Sequence, residues 1–177
     1  MKKIILSTIA ISAILLLSGC EGAKDTEPDT EVIVSLNNIS STDISNFHYD
    51  EVAVTCLIPV ATYDSNYYDS YRFDDDLIGN PAYFDRTLNW VDIRTQTVYN
   101  IMTDRIDKAK QINCDSILFE DIDIWNRSTF GINTEDAYQY YSSLVEEVTY
   151  RGMDVGAYEV DFILRNDIYY LFDFIVD

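Results

Sequence analysis

An α/β fold built on a parallel sheet is predicted by three observations. Short apolar runs of strand length alternate with segments whose apolar residues recur at helical spacing, the pattern of strand–crossover–strand units. One of those runs, Ile117 to Phe119, opens straight onto Glu120, Asp121 and Asp123, as expected of a buried parallel strand whose carboxyl end carries acids to one edge of a sheet. Hydrophobic residues make up 47% of the 177-residue chain despite a formal net charge of −19. That is enough apolar side chain for a packed core, so the acidity does not signal disorder.

The elements follow in order. Met1-Lys2-Lys3 is a basic start and Ile4 to Leu17 an apolar run too short to span a membrane, so residues 1–19 are expected to be a cleaved signal peptide. Residues 20–31 are polar and acidic, as a tether would be. The folded domain then runs from 32 to 177. Strands are expected at 32–36 and 52–58, separated by a turn or helix around Asp43 to Phe47, and at 90–93. Tyr63 to Tyr83 is the least regular part, a long loop rich in Tyr and Asp. A helix over Gln96 to Lys110 presents Val98, Ile101, Met102, Ile106 and Ala109 on one face. After a strand at 116–120, a second helix covers Thr134 to Tyr150, with Asn133 or Thr134 as its cap, acids in its first turn and Gly152 as its stop. Strands at 154–158 and 172–176 complete six, all expected parallel, with the helices packed outside.

Composition excludes several functions. Loss of Lys2 and Lys3 with the leader makes the charge more negative still, so nucleic acid and anionic lipid surfaces are repelled. A neutral or cationic glycan is not. His48 is the only histidine, which argues against a histidine-based metal centre or a Ser-His triad. Cys56 and Cys114 lie on or beside different strands, and buried free thiols are the expectation. Asp74-Asp75-Asp76 lacks the glycine and terminal glutamate of a calcium loop. No phosphate loop, dinucleotide fingerprint or repeat is visible, so neither cofactor nor metal is expected.

The acids after Phe119 stand beside Trp125. Carboxylates next to an aromatic platform suit sugar chemistry, in which two carboxyl groups flank the scissile bond. In α/β folds the carboxyl edge of the sheet is also where ligands bind.

Two resemblances sharpen this reading. Leu17-Ser18-Gly19-Cys20 resembles the lipobox of bacterial lipoproteins, which implies that Cys20 is acylated, for instance with palmitate, and becomes the first residue of the mature protein. The protein would then be anchored to a bacterial membrane, facing outside the cytoplasm. Cys114-Asp115, the acids at 120–123, Phe130-Gly131, the Tyr-rich helix and Arg151-Gly-Met-Asp-Val-Gly156 together resemble glycoside hydrolase family 114, the endo-α-1,4-polygalactosaminidase-like barrels. Cys56 to Asp64, Phe73 to Gly79, Trp90-Val-Asp-Ile-Arg94 and Phe172-Asp-Phe-Ile-Val176 extend the similarity. The resemblance implies a (β/α)8 TIM-barrel-like fold acting on galactosamine-containing extracellular polysaccharide. It implies Glu120 or Asp123 as one member of the catalytic pair. Tyr63, Trp125 and the Tyr67–Tyr71 cluster would form sugar-stacking surface, and Asp92 and Arg94 would bind hydroxyls or orient the acids.

The chain also departs from the family pattern. Leu118 stands at the first glutamate of the family's Glu-Pro-Asp-Asn, Glu120 at its aspartate and Asp121 at its asparagine. Tyr158 and Glu159 replace a Lys-Asn pair but remain candidate substrate contacts. The chain ends at Asp177, before the family's Asn-Glu, so the second catalytic carboxylate is expected to be missing, with Glu159 and Asp161 as substitutes. A complete barrel usually takes about 250 residues. About six βα units are therefore expected: an incomplete barrel, packed as an open sheet or completed by a partner, or else a fragment of a larger enzyme. The accompanying alternative to an active glycosidase is a surface carbohydrate-binding lipoprotein with impaired chemistry.

Overall fold

A computed structural model of the protein describes residues 31–36, 53–83, 87–124, 127–158 and 168–176. The expected leader, Cys20, most of the expected tether, the Asp43–Phe47 segment and His48 lie outside them. In chain order the elements are β1 (Glu31–Ser35), β2 (Ala53–Pro59), β3 (Thr62–Tyr63), β4 (Ile78–Pro81), β5 (Asn89–Val91), α1 (Gln96–Gln111), β6 (Ser116–Glu120), α2 (Thr134–Tyr150), β7 (Asp154–Tyr158) and β8 (Phe174–Val176). Single 3-10 turns cover Ser70–Arg72, Asp75–Leu77 and Tyr169–Leu171.

Five strands form one parallel sheet in the order β1-β2-β6-β7-β8. Alternation along the strands gives the sheet two different faces. Val34, Val54, Cys56, Ile58, Ile117, Phe119, Val155 and Ala157 share one face and are all buried. The helices cover it. Val98, Ile101, Met102, Ile106 and Ala109 of α1 and Ala137, Tyr141, Leu144 and Val148 of α2 join the same core, each fully buried aliphatic chain contributing about 1.5–3 kcal/mol. The other face carries Leu57, Leu118, Gly156 and Phe174 in register. There a Cβ on Gly156 would fall 2.3 Å from the Phe174 ring, so the missing side chain makes room for that ring.

Capping explains where the helices begin. The Thr95 side chain accepts from Val98 N at 3.4 Å to start α1, and Lys108 and Lys110 occupy its last turn, where cations complement the dipole. Asn133 and Asp136 form a reciprocal capping box at α2, at 2.8 and 3.4 Å. Gly152 follows with φ +69°, a conformation glycine adopts at no steric cost.

Aspartates start two of the strands. Just before β6, Asp115 donates its N–H to Val54 O at 2.9 Å, and its carboxylate accepts from Val54 N at 2.8 Å. Asp173 does the same just before β8, to Val155, at 2.8 and 3.0 Å. Each side chain extends the ladder by one bond where the neighbouring strand would otherwise have a spare donor. The first Asp of the Cys114-Asp115 motif is thus structural.

Two expectations are corrected. The strand expected at 90–93 is β5, which pairs antiparallel with β3 and β4 in a separate three-stranded sheet. A three-residue apolar run does not reveal its partner, and β2 pairs directly with β6 over Thr55–Pro59, leaving no place between them. The main sheet therefore has five described strands, and the expected Tyr63–Tyr83 loop contains β4 and two 3-10 turns. Nor are the cysteines free thiols: Cys56 and Cys114 form a disulfide with a Cα–Cα distance of 5.9 Å across the β2–β6 pair. It closes a loop with a sequence separation of 58. Replacing both cysteines by Ser is expected to cost about 2–4 kcal/mol in urea unfolding; an unchanged midpoint would show that the crosslink contributes nothing.

Candidate functional site

The small sheet of β3, β4 and β5 sits against the carboxyl end of β2. Val91 N donates to Ala61 O at 3.1 Å, and Val60 N donates to Glu120 O at the same distance. Glu120 ends β6 with its Cα paired to Pro59 and is half-buried. One residue beyond the Phe119–Ala157 pair lies Tyr158 at the end of β7, also half-buried. Glu120 and Tyr158 therefore end neighbouring strands on the same sheet edge.

The chain then leaves the strand sharply. Asp121 has φ +58°, a left-handed conformation that aspartate tolerates better than most residues. Its carboxylate accepts from Thr62 Oγ1 at 2.7 Å and is buried. Ile122 and Ile124 turn into the core while Asp123 stays with Asp121. The Tyr83 hydroxyl donates to Asp123 Oδ1 at 3.3 Å, and Arg127 Nη1 lies 2.6 Å from Asp123 Oδ2. Burial raises the Asp123 pKa above the ordinary carboxylate value, with Arg127 opposing. Tyr83 packs on Trp90 at 5.9 Å. Burial first, and then the two nearby carboxylates, push its phenol pKa up, so it stays protonated as a donor. The result is two buried acids separated in sequence only by Ile122 after β6, one of them with raised proton affinity, an arrangement suited to general acid chemistry.

The other candidates are distributed unevenly. Tyr63 ends β3 and packs edge-on against Phe73 at 5.4 Å. Asp92 and Arg94 grip one another through two side-chain bonds of 2.8 and 2.9 Å, and Arg94 holds the Asp92 carboxyl below its usual range. Arg94 opens onto a cleft of about 440 Å³ between the starts of α1 and α2, with Tyr99, Asp136 and Gln139. None of Glu120, Asp121 or Asp123 lines that cleft. Trp125, Glu159 and Asp161 lie outside the described residues. The Tyr67–Tyr71 cluster is not a continuous stacking surface: Tyr67 is only 3% exposed, held under the Arg105 guanidinium at 3.9 Å, and the Lys108 ammonium covers the Tyr68 ring. Tyr71 alone of the cluster faces solvent. No group of acids, cysteines or histidines among the described residues could hold a metal ion.

The model of glycoside-hydrolase family GH114 matches residues 8–177. The chain belongs to that family. In fold it is similar to Ega3 of Aspergillus fumigatus, solved in complex with galactosamine, with a TM-score of 0.72 and 20% identity over 86% of this chain and 61% of that one. It is also similar to a variant of the glycoside hydrolase domain of PelA from Pseudomonas aeruginosa, with a TM-score of 0.50 and 9% identity over 73% of this chain and 52% of that one. The chain thus spans between half and two thirds of the length of these relatives. No curated protein matches the sequence.

Within this GH114 domain, sequence reasoning passed over Tyr83, Thr62 and Arg127 as site residues and named Asp121 among the acids without giving it a role. Arg127 had a visible signal, since it stands four residues after Asp123 and reaches back to it. Asp121 had a weaker one, as an acid directly after a strand. Thr62 and Tyr83 had none, because they come to the acids through β3 and the segment joining β4 to β5.

Proposed function

We propose that this GH114 domain is a glycoside hydrolase acting on galactosamine-containing polysaccharide, with chemistry at the acids that follow β6. The observation that carries the proposal is that half-buried Glu120 and buried Asp123 both follow the apolar core of a parallel strand at its carboxyl end, Asp123 having a raised pKa. Asp123 would donate its proton to the leaving-group oxygen, and Glu120 would face the developing oxocarbenium ion or activate water. Tyr63 and Tyr158, with Trp125 and Glu159, are the proposed sugar contacts. A cationic, partly deacetylated polymer suits a chain of charge −19. The test is reducing-end release from partly deacetylated α-1,4-polygalactosamine against its fully acetylated form. Release that favours the deacetylated polymer is expected, and absence of release from both refutes the hydrolase.

A pH prediction follows from Arg127. A general acid works while protonated, so activity falls as pH rises through its pKa. Arg127 favours the Asp123 carboxylate and opposes the effect of burial. Arg127→Gln removes that charge, so the alkaline limb of the kcat/KM profile should move to higher pH. Movement to lower pH would take the acid role away from Asp123.

One observation favours a second reading, in which the domain binds polymer without cutting it. Leu118, at the place of a family glutamate, is 1% exposed and shares its sheet face with Glu120, so no carboxylate is supplied there. Saturable binding of the deacetylated polymer without reducing-end release would establish this reading.

We further propose that the protein is exported and held at a membrane through an acylated Cys20. The Cys56–Cys114 disulfide supports export, since such crosslinks persist in oxidising compartments. Cys20→Ala is expected to release the protein from the membrane fraction, and full retention would contradict the anchor.

A further inference from the structure

The turn that follows β2 is held from beneath by both helices. Arg105 projects from α1 and is fully buried. One of its nitrogens donates to Pro59 O, while Nε and Nη2 grip the Asp69 carboxylate at 3.0 and 3.1 Å. From α2 the Tyr140 hydroxyl donates to Val60 O at 2.6 Å. Consecutive carbonyls at 59 and 60 are thus each taken by a polar side chain of a different helix. The opposite side of the same turn meets Glu120, whose Cα pairs with Pro59 and whose carbonyl accepts from Val60 N at 3.1 Å.

The Arg105 clamp reaches a second wall of the site. Asp69 is 1% exposed and anchors a segment closed by successive turns: Tyr67 N to Asp64 O at 2.9 Å, Ser70 N to Tyr67 O at 3.0 Å and Arg72 N to Asp69 O at 3.0 Å. That segment begins just after Tyr63 and ends at Phe73, the ring on which Tyr63 rests. The Tyr67 ring lies under the guanidinium, and its hydroxyl is buried without a hydrogen-bond partner among the described residues. A planar, three-acceptor grip of this kind is available to arginine and not to lysine.

We propose that Arg105 and Tyr140 are positioning residues, which fix the Pro59–Val60 turn from the helical layer and through it set the placement of Glu120 and Tyr63. The proposal rests on the hydrolase reading above for its kinetic consequence but not for its structural one. Tyr140→Phe removes a single oxygen from a buried ring, and Arg105→Lys keeps the charge while losing the fork. Both should lower kcat on partly deacetylated polygalactosamine by about ten- to a hundredfold, the scale of a misplacement near 1 Å, with KM changed less than about threefold. In the same proteins the 13C-detected carboxyl titration of Glu120 should have a midpoint displaced from that of the parent.

The two readouts separate the possible failures. If the parent protein releases no reducing ends, the hydrolase reading fails, and the Glu120 titration still decides the positioning claim. If the Glu120 titration in Tyr140→Phe and Arg105→Lys superimposes on that of the parent, and kcat is unchanged where turnover exists, Arg105 and Tyr140 merely stabilise the core and the proposal is wrong. Loss of melting temperature alone would count on that side too.

Discussion

Replacement of Arg105 by Met is expected to destabilise the domain by about 3–5 kcal/mol, the range seen when one partner of a buried ion pair is removed. The cause is the group left behind rather than the bond lost. Arg105 and Asp69 are 0% and 1% exposed, so the Asp69 carboxylate would stay in the core without its cation, and Pro59 O would lose its donor. Unpaired buried groups keep their full desolvation cost, while a formed bond contributes only its small surplus over water. Domains of this size have about 5–15 kcal/mol in all, so the variant would be near the limit of folding. Urea unfolding measures the effect. The paired change Arg105→Met with Asp69→Leu should recover most of the loss, since apolar replacements of both partners are often neutral. A single Arg105→Met that unfolds within about 1 kcal/mol of the parent would contradict this account of the core.

Arg105 also shows where sequence reading stops. Its spacing in α1 places it between Ile101, Met102 and Ile106, on the apolar face, yet nothing local announces that Asp69 and Pro59 O will meet it. The helices themselves were legible, because a stripe at 98, 101, 102, 106 and 109 and the Asn133–Asp136 capping box are properties of adjacent turns. β1, β2, β6, β7 and β8 were legible for a similar reason, as apolar runs bounded by breaks.

What failed was adjacency. Cys56 and Cys114 lie on or beside different strands, and nothing in the sequence says that those two strands are neighbours, so free thiols were the expectation. Once β2 is seen to pair with β6, the disulfide is the natural consequence. The site divides in the same way. Glu120 and Asp123 could be read because they follow a strand, whereas Tyr83 and Thr62 reach Asp121 and Asp123 only through the small antiparallel sheet. Asp92 and Arg94, read as partners of the acids, are instead occupied with each other.

The second large effect concerns the chemistry. Glu120→Gln keeps the shape of the side chain and removes its charge and its ability to take a proton. If Glu120 faces the reacting carbon or its water, kcat should fall by about 10²–10⁴, the contribution of one general acid–base group. The fold should not change, because the Glu120 backbone makes the ladder and turn bonds whatever the side chain carries. Asp123→Asn should give a fall of similar size by removing the proton donor. Asp76→Asn, an exposed acid of the 3-10 turn before β4, controls for the general loss of negative charge. The most direct measurement is the initial rate of reducing-end release from partly deacetylated α-1,4-polygalactosamine by the parent, Glu120→Gln and Asp76→Asn proteins. Turnover by the parent and Asp76→Asn is expected, with at least a hundredfold loss in Glu120→Gln; equal rates in all three would contradict a catalytic role for Glu120.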